Sequence, residues 1–95
     1  MRLRWSRPAV DDLVEVRRFI AADNPRAATD TVARIRRSVM RILEFPNSGA
    51  PLGMAELRIA TVPGTPFRLF YRVKRDAILI VAVWHGARQW PPARD

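Results

Sequence analysis

The six residues DNPRAA, Asp23 to Ala28, break what would otherwise read as one long helical run. Asn24 is a good helix cap, and Pro25 suits the first helical position, where its missing N–H donor costs nothing. One helix therefore stops and a second starts within a few residues, which requires a tight helical hairpin. Upstream, Ala9, Leu13, Val16 and Ile20 fall at offsets 0, 4, 7 and 11, a single apolar stripe at helical period. Asp11, Glu15 and Arg18 point away from it. Ser6 can cap this helix, with Pro8 in its first turn and Asp11 and Asp12 near its positive end. Downstream, Ala28, Val32, Ile35, Val39 and Ile42 repeat the pattern, with Arg34, Arg37 and Arg41 on the opposite face as either a solvated surface or a dock for an acidic partner. Pro46 bars this helix from continuing beyond about Phe45.

The flanks of the hairpin read as strands. RLRW, Arg2 to Trp5, is short and alternating. PNSGAPLGM, Pro46 to Met54, has the proline and glycine density of a loop. ELRIATV alternates Leu57 and Ile59 with Glu56 and Arg58, and PGTP is a turn. FRLFYRV alternates Phe67, Leu69, Tyr71 and Val73 with Arg68, Phe70 and Arg72. AILIVAVW is apolar throughout, as expected of a strand at the centre of a sheet or covered on both faces. The expected class is α+β in the order β-α-α-β-β-β, with the last three strands antiparallel and the hairpin on one face of the sheet. Residues 1–95 form one domain, since a chain this short has room for a single core.

Composition narrows the function. Lysine and arginine number 17 against 9 acids, a net charge of +8, which implies an acidic partner, nucleic acid or protein. All the basic residues except Lys74 are arginine, so mechanisms that need a cluster of lysines are excluded. There is no cysteine and one histidine, which removes disulfides, thiolate nucleophiles and cysteine-ligated metals and disfavours any histidine-rich metal site. No cofactor or metal signature is present, no segment has the apolar length to span a bilayer, and the N-terminus lacks the apolar centre of a signal peptide, so a cytoplasmic location is expected.

One constellation could carry chemistry. Strand parity puts Arg68 and Arg72 on the face away from Leu69 and Tyr71. If registers allow, Arg58 joins them on the sheet surface that the helices leave uncovered, with His85 and Arg88 at the mouth of the last strand. RNA cleavage through the 2′-hydroxyl needs a base, an acid and cations for the phosphorane charge. His85 could serve as base or acid, with Arg68 and Arg88 as clamps; Glu56 is a possible second group, whereas Tyr71 shares the parity of the core. The alternative is that His85 ends a strand and the arginines meet acidic groups. Trp84 and Trp90 are read as packing the C-terminal tail onto the domain.

Four segments in order resemble the ParE branch of the RelE/ParE toxin superfamily. WSRPAVDDLVEVRRFIAADNPRAA, Trp5 to Ala28, is similar to that family's tryptophan strand and A..DL..I..YIA..NP.AA hairpin. LEFPNSGAP resembles its L...P..GRP loop, VPGTPFRLFYRV its PYRI.YRV strand, and VWHGARQWP its V.HGAR.WP ending. The resemblance implies the toxin of a type II toxin–antitoxin system, neutralised by a ParD-like antitoxin with an acidic C-terminal segment, and inhibiting DNA gyrase by binding rather than by catalysis. RelE-like relatives instead cleave messenger RNA on the ribosome. Their third-strand arginine falls on Arg68, and their basic residues at the last strand's end fall near His85 and Arg88. Their second-strand lysines are replaced here by Glu56, Arg58 and neighbours, and no tyrosine follows His85. GMAEL, Gly53 to Leu57, stands where ParE sequences commonly have a GTREL-like segment, Met54 and Ala55 replacing threonine and arginine. On this reading Val10, Val14 and Ala21, a second apolar stripe of the first helix, meet the antitoxin together with Arg58, Arg68, Arg72 and Arg88. Nucleic acid is engaged only indirectly, or on the ribosome in the nuclease alternative.

Overall fold

In the computed structural model, residues 1–53 and 56–86 are described. Two helices pack on one face of a five-stranded sheet. The elements are β1 (Arg2–Trp5), α1 (Arg7–Ala21), α2 (Pro25–Glu44), β2 (Ala50–Pro51), β3 (Leu57–Thr61), β4 (Phe67–Val73) and β5 (Ala77–His85). The sheet order is β1-β5-β4-β3-β2. β1 runs parallel to β5, and every other pairing is antiparallel. The apolar run Ala77 to Trp84 accordingly lies between two neighbours, as its composition predicts.

The hairpin forms as its punctuation requires. Ser6 accepts from Ala9 N at 3.1 Å, and Asn24 Oδ1 accepts from Ala27 N at 3.1 Å with Pro25 at the first helical position. Because α1 begins at Arg7, Asp11 and Asp12 sit one turn later than their expected place at the helix start. Asp11 pairs with Arg7 at 3.2 Å. The main core joins Ala9, Ile35, Val39 and Ile42 of the helices to Val62, Leu69, Tyr71, Ile78, Ile80 and Val83 of the sheet side.

Two features of the sheet are not visible in the alternation. The first is an extra residue in β5. Phe70 is opposite Ala82 and Tyr71 opposite Ile80, so Val81 bulges out of register. This re-phases the strand, letting both Ile80 and Val83 reach the helix-side core. The backbone groups around the bulge are taken up by α1: Ser6 N donates to Ile80 O, Ser6 Oγ donates to Val81 O at 2.9 Å, and Val83 N donates to Asp12 Oδ2 at 3.0 Å. Ser6 and Asp12 thus tie the first helix to the central strand.

The second is β2, a two-residue strand inside the expected loop. Tyr71 is fully buried; its hydroxyl donates to Pro46 O and accepts from Gly49 N, both at 2.8 Å. These bonds fold the chain after α2 so that Ala50 and Pro51 lie against Ile59 and Arg58. Gly49 is required there, since a Cβ would sit 2.6 Å from the Tyr71 hydroxyl and 2.9 Å from Ile59 O.

Candidate arginine grooves and strand-end site

The β3–β4 register overturns the expectation that three arginines share one face. Arg58 lies opposite Tyr71, on the helix side, whereas Arg68 is opposite Thr61 and Trp84, and Arg72 opposite Leu57 and Leu79, on the other side. Arg58 is also engaged: its Nη1 donates to Asn47 O at 3.1 Å and to Gly49 O at 2.6 Å. It clamps the loop that Tyr71 holds from below. Arg58→Met retains the stem and removes both bonds, and should lower unfolding stability by roughly 1.5 kcal/mol, the value for hydrogen bonds to a charged group. An unchanged denaturant midpoint would refute this clamp.

Nor is the sheet's second face bare. It carries a cluster of Leu57, Phe70, Ala82 and Trp84, with Leu52, Ile59 and Val81 beside it. Trp84 is buried in that cluster. Arg72 is half-buried among these residues, and its Nε is buried with no hydrogen-bond partner among the described residues.

His85 is half-buried at the end of β5, opposite Phe67, whose ring meets the imidazole edge-on with centroids 5.5 Å apart. Phe67 packs on the helix-side core. Since neighbouring residues of a strand face opposite ways, His85 and Arg68 project from opposite sides of the sheet. Glu56 is exposed, with φ 57°, just before Leu57, which pairs with Arg72. Five residues of β4 separate that end from His85, roughly 16 Å at the strand rise. The sheet therefore holds Glu56 away from His85, whereas the Arg68 guanidinium curls to the strand end beside Gly86. Arg88 and Trp90 lie outside the described residues, as do Met54 and Ala55.

Two grooves flank α2. One, of about 510 Å³, is apolar and lies between the helices and β1, lined by Leu3, Trp5, Val10, Leu13, Val14, Arg36, Val39 and Met40. Val10 and Val14 are 41% and 53% exposed there, and Met40 60%. Ala21, the third member of the expected stripe, is not part of this lining. The other groove, of about 780 Å³, lies between α2 and β3 and is lined by arginines. Sequence periodicity puts Arg34, Arg37 and Arg41 on one face of α2, as a solvated surface or a dock for an acidic partner, and the structure sets that face along this groove. Among the described residues no group of three or more acidic, histidine or cysteine side chains could hold a metal ion, and no helix is long and apolar enough to cross a membrane.

A family model described as the ParE toxin of the type II toxin–antitoxin system parDE matches residues 3–90. The chain belongs to the ParE toxin family. Among curated relatives, the Sinorhizobium fredii protein Y4kP is 37% identical over 90 residues, 95% of this chain and 93% of that protein. Toxin RelE2 of Caulobacter vibrioides is 32% identical over 85 residues, 88% of this chain and 93% of that one. Among solved structures, the chromosomal ParDE TA system from P. aeruginosa contains a chain that superposes with a TM-score of 0.79 at 27% identity, covering 90% of this chain and 95% of that one. The apolar groove and the arginine groove are therefore features of a ParE-family toxin.

Proposed function

We propose that this ParE-family toxin is held inactive by an acidic ParD-like antitoxin in the cytoplasm and, once released, inhibits DNA gyrase by binding it. The antitoxin reading is supported by the apolar groove, whose exposed Val10, Val14 and Met40 suit the apolar side of a segment that folds on docking. A solved relative is itself a ParDE toxin–antitoxin system. The net charge of +8 favours fast association with an acidic chain. Arg72, whose buried Nε has no partner among the described residues, is the candidate carboxylate contact on the second face; Arg68, whose side chain lines the groove beside α2, and Arg88, beyond the described residues, are the other candidates. Arg58 contributes through the loop it holds.

One observation carries the non-enzymatic reading: the proton-transfer candidates are dispersed, with His85 at one end of the β4–β5 pair and Glu56 at the far end of the strands. A transesterifying nuclease needs base, acid and cation around one phosphate. The RelE-like alternative, a ribosome-dependent messenger RNA endoribonuclease, draws on the 32% identity to Toxin RelE2 and on Arg68 standing where such enzymes carry an arginine. Adding the purified chain to gyrase supercoiling reactions and, in parallel, to translating ribosomes separates the two. Loss of supercoiling with intact message is expected, and specific message cleavage with normal supercoiling would overturn the proposal.

A further inference from the structure

The flank of α2 that faces β3 presents Arg34, Arg37 and Arg41, three exposed side chains at helical spacing, and Arg68 completes the groove from the sheet. Ser38, Ser48 and Thr61 add hydroxyls, and none of the described residues lining it is acidic. The ion pairs among the described residues are both on α1, Arg7–Asp11 and Arg18–Glu15. Of the four guanidinium groups only Arg34 has a protein acceptor among the described residues, Pro63 O at 3.5 Å. Four unpaired like charges around one groove repel one another, and a ligand bearing several negative charges relieves this.

The shape of the row selects among polyanions. Arg34 and Arg41 are about 10 Å apart along the helix axis at 1.5 Å per residue. Measured along the duplex axis, that length covers about three phosphates of one strand, which rise roughly 3.4 Å each. A docking peptide needs apolar anchors, and the exposed apolar side chains Leu3, Val10, Val14 and Met40 line the groove on the opposite flank of α2. A single strand needs aromatic platforms for its bases, and none of the described residues lining the arginine groove is aromatic.

We infer that the groove between α2 and β3 grips the phosphate backbone of duplex DNA without reading its sequence. Arg34, Arg37 and Arg41 make the contacts along one strand, with Arg68 at the groove's sheet wall. This holds whichever target the toxin poisons, and it leaves the apolar groove free for an antitoxin.

The test is binding of the full chain to a fluorescent duplex of roughly 20 base pairs and arbitrary sequence, by anisotropy, between about 50 and 200 mM salt. Replacing Arg34, Arg37 and Arg41 together by glutamine should weaken binding at least about tenfold and flatten the dependence of log K on log salt by close to 3, about one unit per lost phosphate contact. All three are exposed, so the helical signal should persist. The Arg37→Gln/Arg41→Gln pair, which keeps the Arg34–Pro63 contact, should flatten the slope by about 2. The control removes the same charge elsewhere, at Arg2, Arg4 and Arg75, and should leave the slope within about one unit of the unaltered chain. An unchanged slope in the α2 variants, or an equal loss in the control, overturns the inference. So does binding of an acidic peptide, but not the duplex, through these three arginines.

Discussion

Val14→Glu is expected to weaken antitoxin binding a hundredfold or more while leaving the toxin folded. Val14 is 53% exposed in the free chain, so a glutamate there is solvated and costs the monomer little. Once a partner covers the groove of Val10, Val14 and Met40, that carboxylate is buried in a lining whose described residues are apolar except Arg36. Desolvating a charge in so apolar an interface costs about 3 kcal/mol or more, which is over two decades in affinity. Val14→Ala, which removes only methyl groups, should cost tenfold at most. Titration calorimetry with the cognate antitoxin reads both. Affinity for Val14→Glu within about threefold of the parent would mean that the antitoxin docks elsewhere.

The largest stability effect is expected at Tyr71, at the junction of helix, loop and sheet. Tyr71→Phe keeps the ring in the core but deletes the hydroxyl that donates to Pro46 O and accepts from Gly49 N. Both backbone groups then lose their partner, at about 1–3 kcal/mol for each buried group left unsatisfied. Stability should fall by about 2–4 kcal/mol, lowering Tm by roughly 10–20 °C for a domain this size. Water cannot readily replace the hydroxyl, because Gly49 already lies so close that an added Cβ would be 2.6 Å from it. A Tm within about 4 °C of the parent would show that the loop is held by something other than this side chain.

The sequence reports the helices more faithfully than the sheet. DNPRAA, the stripes on either side of it and the continuous apolar run of β5 each carry a local signal, and each element lies where that signal puts it. Parity within one strand is equally legible: Leu69 and Tyr71 face the helices, and Phe70 does not. How one strand's parity relates to its neighbour's is set by register, which turns and bulges decide. Arg58 therefore lands on the helix side opposite Tyr71, although its alternation with Leu57 and Ile59 is plain in the sequence. The Val81 bulge has no composition signal in AILIVAVW, and without it the role of Asp12 as acceptor for Val83 N cannot be foreseen. β2 is hidden for a different reason: two residues are too few to show a period, and the tyrosine that positions them comes much later in the chain. The arginine groove shows only as a row on α2, because its other wall, along β3, is brought there by tertiary folding.

The central claim, that this ParE-family toxin acts by binding rather than by cutting, turns on His85. Its ring meets Phe67 edge-on, with Glu56 at the far end of the strands, so the imidazole is placed as part of the strand end. The most direct measurement is growth arrest on induction of His85→Ala without antitoxin, with message integrity followed in the same cultures. Binding predicts that the variant arrests growth as the parent does and that messages stay intact in both. Specific message cleavage by the parent that disappears with the imidazole, together with the growth arrest, would contradict it.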